Sequence, residues 1–312
     1  MPHLALIFPG QGSQKIGMGQ DLAENFAVAR QVFEEVDEAL SQKLSALMWE
    51  GEQAELTLTA NAQPALMACS VAAFRVAEEE AGLSLDQVAG LAGHSLGEYS
   101  AHACAGSFDL STAAKLLRTR GDAMQSAMPV GEGAMAAILG LSLEEVESLA
   151  EETGVEVAND NCPGQVVISG DAASISEACA KAKDKGAKRA LPLDVSAAFH
   201  SRGMMPAQER MAEALAEASI SAPARPVVAN IDASLVTQPD EVRRTLTEQV
   251  SGRVRWQDCC EKLSSEGAHT FVELGAGKVL SGLVKKILPE ARTTNAGVAK
   301  DFTSLSEIVS GN

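Results

Sequence analysis

Apolar residues along this chain come in two rhythms, short unbroken runs and stripes at three- and four-residue steps, and their alternation predicts an α/β protein. Leu4 to Phe8, Val88 to Leu91 and Thr270 to Glu273 are too short for helices, and they read as buried strands. Glu98 to Cys104 follows as a helix. Asp109 to Met128 repeats Ala113, Leu116, Leu117, Arg120, Ala123 and Met124 at helical steps. Further along, Ala134 to Leu139 predicts a strand, Leu143 to Glu152 a helix, Val155 to Ala158 and Val166 to Ser169 strands, Ala172 to Lys185 a helix, and Arg189 to Leu193 a strand. That βαββαβ order describes a ferredoxin-like unit. It predicts residues 128–198 as a subdomain inserted into a larger α/β body of residues 1–127 and 199–312, which adds strands around Val227 and Phe271. Gly131-Glu132-Gly133 marks one junction and the loop Val195-Ser196-Ala197-Ala198-Phe199-His200-Ser201 the other, so a site is expected between the two units.

Candidate chemistry concentrates at the strand-to-helix junction Gly93-His94-Ser95-Leu96-Gly97. In that setting Gly-x-Ser-x-Gly is a nucleophile elbow, which makes the larger body hydrolase-like. The sharp turn strains the serine backbone, and the glycines remove side chains that would collide there. A serine hydroxyl needs a base within hydrogen-bond reach, and the chain offers five histidines. His94 adjoins Ser95 and points away, while His102 lies seven positions along the same helix, about 10 Å off. His3 and His269 begin strands, whereas sites in open α/β sheets form beyond the strands' carboxyl ends. His200 is left as the base. Elbow hydrolases place an acid between serine and histidine, which nominates Asp160 or Asp194; a carbonyl or amide oxygen serves equally, since the orienting group has only to accept the Nδ1 hydrogen.

The loop Phe8-Pro9-Gly10-Gln11-Gly12-Ser13-Gln14 follows the first strand and is not a dinucleotide fingerprint, because Lys15 stands where the last glycine belongs. Gly275-Ala276-Gly277-Lys278 is no phosphate loop either, lacking the first glycine at Val272 and the Ser or Thr at Val279. The first loop is either a plain turn or a means of bringing the Gln11 amide to a developing oxyanion. Arg120 sits on the apolar stripe of its helix and must meet an anion. That anion is a structural carboxylate or a substrate's, held through the arginine fork.

Composition narrows the class. With 312 residues, 46% of them hydrophobic, the chain can build one large core and a smaller one. No run reaches the roughly 18 apolar residues of a spanning helix, and the N-terminus enters a strand without a signal-like segment, so a cytoplasmic protein free of membranes is expected. Cys69, Cys104, Cys162, Cys179, Cys259 and Cys260 show neither Cys-x-x-Cys nor His-rich spacing; they read as buried apolar residues, with no metal site or disulfide expected. A formal charge of −17 argues against nucleic acid, which needs a basic face.

Phe8-Pro9-Gly10-Gln11-Gly12-Ser13-Gln14, Gln63-Pro64-Ala65-Leu66, Gly93-His94-Ser95-Leu96-Gly97-Glu98-Tyr99, Arg120-Gly121, Gly164-Gln165-Val166-Val167-Ile168-Ser169-Gly170, Phe199-His200-Ser201 and Gly275-Ala276-Gly277-Lys278-Val279-Leu280 together resemble, in kind and order, the bacterial malonyl-CoA:acyl carrier protein transacylases. The resemblance covers nearly the whole chain. It implies that Ser95 is acylated with His200 as base, that Gln11 and the Leu96 amide form the oxyanion hole, and that Arg120 clamps the malonyl carboxylate. It implies further that an oxygen in the segment matching Gln249 orients the histidine. His94, Met124, Phe199 and Gln249 join Arg120 as the substrate-binding set. Phe199 before His200 resembles malonyl-selective members rather than those accepting methylmalonyl, which carry serine there.

The implied substrate is malonyl-CoA, and the implied partner is the acyl carrier protein of fatty acid biosynthesis, bound transiently by a monomer with no cofactor. The alternatives are a polyketide-pathway acyltransferase and a serine hydrolase or thioesterase using the same elbow. Acyl carrier proteins are themselves acidic, so docking must be local: Lys188 and Arg189 in the tract from Lys181, and Lys285 with Lys286, are candidates. Asn159 and Asn161, which flank Asp160 where the family often has an aromatic residue, join these four as candidates for docking either CoA or the carrier.

Overall fold

The computed structural model describes residues 3–129, 131–195 and 197–310; Ser196, in the loop that carries His200, lies outside the described residues. The strands in chain order are β1 (Leu4–Phe8), β2 (Val88–Gly93), β3 (Gly133–Leu139), β4 (Glu156–Cys162), β5 (Gln165–Asp171), β6 (Arg189–Pro192), β7 (Val227–Val228), β8 (Leu235–Val236), β9 (Val254–Arg255), β10 (Thr270–Leu274) and β11 (Arg292–Ala296). Among the described residues they form a six-stranded sheet, β11-β10-β1-β2-β7-β8, and a five-stranded sheet, β6-β3-β5-β4-β9.

The larger sheet is parallel except where β8 turns back on β7. Every residue of β1 and β10 is buried. That explains the unbroken apolar run of β1, since a central parallel strand is covered by helices on both faces; β10 buries Glu273 as well, whose carboxyl accepts from the Leu280 and Ser281 amides. Ile7 pairs with Ala92 and Phe8 with Gly93. The carboxyl ends of β1 and β2 are therefore level, and the loops bearing Gln11 and Ser95 emerge side by side.

Between β1 and β2 the chain is helical, ending in the 22-residue helix Thr59–Glu80, which is buried along most of its length. Its many alanines let the helix Leu110–Ser126 approach closely. A Cβ on Gly121 would lie 2.6 Å from the Ala60 Cα, so the glycine after Arg120 sets the helix spacing that holds the arginine in the interior.

The smaller sheet keeps the predicted βαββαβ order. β3 lies antiparallel to both β5 and β6, β5 antiparallel to β4, and the helices Leu143–Thr153 and Ala172–Asp184 pack Val146, Leu149, Ile175 and Ala178 against Ile138 and Ile168. Ser142 and Glu145 cap the first helix reciprocally. In this sheet one strand was not expected: β9, from the C-terminal segment, adds to the free edge of β4, with Asn159 opposite Val254 and Asp160 opposite Arg255. Two residues are too few to carry a sequence pattern, and the pairing arises only once the subdomain docks.

The elbow itself is a steric fit. A Cβ on Gly93 would sit 1.9 Å from the Gly97 carbonyl, and one on Gly97 would sit 2.2 Å from the Phe8 oxygen. Both contacts are with backbone, which cannot rotate aside. Gly97→Ala should therefore destabilise the fold by about 1–3 kcal/mol, the range for overpacking a tight site, measured as a lower urea midpoint at unchanged slope. An unchanged midpoint would show that the helix can shift away from β1 at no cost.

Candidate active site

Ser95 has φ 53°, a left-handed conformation uncommon outside glycine. It is held there from both sides. The Asn230 side chain, in the loop after β7, accepts from the Ser95 amide at 2.7 Å and donates to the Gly93 carbonyl at 2.8 Å. The Gln249 side-chain amide donates to the Ser95 carbonyl at 2.9 Å. The Ser95 Oγ stands 2.8 Å from His200 Nε2.

His200 also has positive φ, 55°. Its Nδ1 lies 3.0 Å from the Gln249 carbonyl oxygen and 3.1 Å from that of Gly252. Carbonyls only accept, so the ring proton resides on Nδ1 and Nε2 is free to accept from the serine. Both oxygens follow the helix Pro239–Glu248, where the last carbonyls of a helix lack intrahelical partners. The acids nominated from chain order do not take this place. Asp194 lies on the cavity wall and Asp160 is buried in β4, where burial lifts its carboxyl to about 6, but neither is bonded to His200. The oxygen in question belongs to Gln249, joined by Gly252.

Burial lowers the His200 pKa from 6.5 to about 3, with the positive charge of Arg120 and the nearby His94 adding to the effect and the two carbonyls opposing it. The imidazole is thus neutral throughout the physiological range. His94 is also lowered by enclosure and bonds through Nε2 to Asn161 at 2.8 Å. That contact ties the elbow to β4 of the smaller sheet.

Arg120 is 1% exposed, yet its partners are all neutral. Nη1 donates to Gln63 Oε1 at 2.8 Å, and Nη2 donates to Gln249 Oε1 at 2.8 Å and to Ser95 Oγ at 3.2 Å. Its guanidinium carbon lies 5.7 Å from the centre of the Tyr99 ring. Burial lowers its pKa, with Tyr99 and Glu98 opposing. Among the described residues no carboxylate pairs with it within 4 Å, so a structural ion pair does not explain its place on the apolar stripe.

A cavity of about 420 Å³ joins these groups, lined by Gln11, Gln63, His94, Ser95, Arg120 and His200 with an apolar wall of Met124, Met135, Leu193, Val195 and Phe199. Gln11 donates from its side chain to Thr59 Oγ1 at 3.4 Å. The main-chain amides of Gln11 and Leu96 have no protein acceptor among the described residues. Leu96 immediately precedes the helix Gly97–Cys104, whose N-terminal dipole favours negative charge.

Asn159 lines the cavity and Asn161 is buried against His94. Asn159 thus faces the pocket, while Asn161 stands beside it and holds the elbow histidine. Lys188, Arg189, Lys285 and Lys286 are exposed and none lines the cavity; Lys286 reaches Gln165 at 3.2 Å. His3 and His269 stack on each other at 5.3 Å, and His102 is buried against Ser107, away from Ser95.

Asn230, Gly252 and Glu98 escaped the sequence reading. Glu98 stands in the elbow motif without a role assigned to it, and nothing in the local sequence marks the other two, since each acts through a contact made by the folded chain.

A serine at a strand–helix elbow, backed by histidine and faced by main-chain amides, is an arrangement that can carry out nucleophilic acyl transfer. The chain matches the acyl transferase domain family over residues 5–304. It is 47% identical over 298 residues to the malonyl CoA-acyl carrier protein transacylase of Bacillus subtilis strain 168, covering 94% of this chain and 93% of that one. The namesake from Escherichia coli K12 is 42% identical, with 92% and 94% covered. In structure it is similar to an acyl-carrier-protein S-malonyltransferase from Bartonella henselae, with a TM-score of 0.96, 48% identity and 99% of each chain covered. It is also similar to a malonyl-transacylase solved in complex with a type II PKS acyl-carrier protein, with a TM-score of 0.95, 39% identity, and 98% and 99% covered. The chain belongs to the acyl transferase family, among the malonyl CoA-acyl carrier protein transacylases.

A neutral, buried His200 has a consequence for stability. The unfolded chain takes up this proton near pH 6.5 while the folded chain does so only near 3, so the group's contribution is complete above 6.5 and is lost as pH falls toward 3. An NMR titration of the His200 ring should show no protonation down to pH 4.5. A midpoint near 6.5 would mean that the site is wetter than its burial indicates.

Proposed function

We propose that this protein transfers the malonyl group of malonyl-CoA to the phosphopantetheine thiol of acyl carrier protein through malonyl-Ser95. The observation that carries the reading is Arg120, a buried cation beside Ser95 Oγ whose partners are all uncharged. A malonyl carboxylate supplies the missing anion in the two-pronged geometry that arginine favours.

In the first half-reaction the Ser95 hydroxyl gives its proton to His200 Nε2 as Oγ attacks the thioester carbon. The Gln11 and Leu96 amides receive the developing oxyanion. Collapse breaks the carbon–sulfur bond, and the CoA thiolate leaves with the proton from His200. The second half runs in reverse: the carrier thiol loses its proton to His200, attacks the malonyl ester, and Ser95 recovers its hydrogen. A thiol is far more acidic than an amine, with a pKa of about 8.5 for cysteine, so its departure needs little help from a general acid. That suits a histidine oriented by neutral carbonyls. The thioester is a substrate, and no step calls for another cofactor or a metal.

The apolar wall of Met124, Met135, Leu193, Val195 and Phe199 supports transfer over hydrolysis, since it keeps water from the acyl-enzyme. We take the carrier to be that of fatty acid biosynthesis, bound transiently by a cytoplasmic monomer. Its docking face is assigned to the exposed Lys188 and Arg189 or Lys285 and Lys286, with discharge to a polyketide carrier as the comparison that separates the pathways.

Intact-protein mass spectrometry should show one malonyl adduct on the wild type and none on Ser95→Ala. The adduct should persist in buffer and discharge on adding pantetheine or carrier protein; rapid release of malonate in buffer alone would establish a hydrolase.

Arg120→Ala should cost about 2–5 kcal/mol toward malonyl-CoA, as truncating one side of a buried charge pair does, and leave acetyl transfer little changed. Equal losses for both acyl groups would remove Arg120 from the carboxylate site. Gln11→Ala, which disturbs the loop presenting its amide, should slow acylation by up to about 10²–10³ with less effect on CoA affinity. An unchanged single-turnover rate would make it a turn residue.

A further inference from the structure

Glu98 is fully buried in the first turn of the helix Gly97–Cys104, three residues beyond Ser95. Its main-chain amide donates to the Ser95 carbonyl at 3.0 Å, but its side chain is bonded neither to the serine nor to the histidine. One of its oxygens, Oε2, accepts two hydrogen bonds, from the Asn230 main-chain amide at 2.9 Å and from the Gln249 side-chain amide at 2.7 Å. Those two residues are the clamps of the site. Asn230 grips the elbow at Gly93 and Ser95. Gln249 reaches the Ser95 carbonyl, Arg120 and, through its own carbonyl, His200.

A side-chain amide can turn over, exchanging its oxygen and nitrogen. Gln249 presents Oε1 to Arg120 only while its nitrogen faces an acceptor, and Glu98 Oε2 provides one from the interior. Turned over, Gln249 would aim N–H groups at the guanidinium and an oxygen at the carboxylate, repelling both. The other carboxyl oxygen, Oε1, is buried with no hydrogen-bond partner among the described residues. Everything the Glu98 side chain does by hydrogen bonding therefore passes through Oε2.

We propose that Glu98 is a positioning residue of the transfer reaction: its Oε2 fixes the orientation of the Gln249 amide and the place of the Asn230 loop, and through them aligns Ser95, His200 and Arg120. The inference rests on the acyl-serine reading above. The role requires an acceptor at that point rather than a negative charge. Burial lifts the Glu98 carboxyl to about 7, the Asn230, Gln249 and Arg120 contacts opposing, so its protonated form, with the hydrogen on Oε1, is populated at neutral pH and accepts the same two bonds.

Three variants test this by stopped-flow acylation with malonyl-CoA and by mass of the loaded protein, each first checked for a native circular dichroism spectrum. Glu98→Gln keeps an oxygen at Oε2 and should acylate within about threefold of the wild type. Glu98→Met fills the space without an acceptor and should lower the acylation rate about 100-fold, the scale of a small misplacement of reacting groups, while the malonyl-CoA concentration giving half-maximal rate changes far less. Glu98→Asp keeps the charge but withdraws the oxygen by one methylene; it should lose about tenfold by the same misalignment, and it reads the proposal should the Met variant fail to fold. A natively folded Met or Asp variant with the wild-type rate would overturn the proposal and leave Glu98 a purely structural residue. Glu98→Gln as slow as Glu98→Met would overturn it too, because charge rather than position would then be the requirement. Wild-type protein that takes up no malonyl mass would defeat the acyl-serine reading itself, a result distinct from either.

Discussion

Gln249 is the point at which the site is held together. Its side-chain nitrogen binds the Ser95 carbonyl and Glu98, its side-chain oxygen binds Arg120, and its main-chain oxygen binds the His200 ring. Ser95, His200 and Arg120 come from the elbow after β2, the loop leaving the smaller sheet and a helix packed beneath both. Each would have several degrees of freedom alone, and reaction requires the reacting atoms to be placed within a few tenths of an ångström. A residue that follows a helix terminus suits the task, because its carbonyl is not consumed by the helix and its side chain can turn inward.

Electrostatics in the site follow from what surrounds Arg120. A buried guanidinium with only amide and hydroxyl partners is expensive in isolation. Its charge helps to keep His200 neutral, and Glu98, one amide further away, offsets it only in its ionised form. Neutral carbonyls orient the histidine where many serine enzymes use a carboxylate. A carboxylate at that position would compete with an incoming malonyl group for Arg120, so the absence of an acid beside His200 is consistent with an anionic substrate.

The two sheets meet at the cavity by specific contacts. His94 on the elbow bonds Asn161 on β4, and β9 extends the smaller sheet next to Gly252, one of the carbonyls that orient His200. Gly133, at the start of β3, could not carry a Cβ without meeting the Ala198 amide at 2.5 Å. The strand entering the subdomain thus lies against the chain leaving it, and the loop that carries His200 is fixed by the subdomain's own closure.

Local pattern determined a large part of this protein. The βαββαβ order, the strand before Ser95 and the helix after it, the stripe bearing Arg120, and the choice of His200 were all legible, because each depends on periodicity or steric limits within a few residues. A strand around Val227 was expected and is β7, but the two-residue strands β8 and β9 were not, being too short to carry a period, nor was the polar edge strand β11. Nor were Asn230, Glu98 and Gly252: an asparagine in a loop, a glutamate in the first turn of a helix and a glycine carbonyl are ordinary in sequence. What they bind lies 132 residues away for the Asn230 amide on Glu98 and 52 for the Gly252 carbonyl on His200. Asp160 and Asp194 were plausible acids by chain order, and only the packing of the Gln249 turn against the histidine decided for carbonyl oxygens instead. The sequence by itself determined which residues could do the chemistry, since that follows from residue type and local turn geometry. The tertiary structure decided what holds and orients them, since those hydrogen bonds exist only when distant segments are buried together.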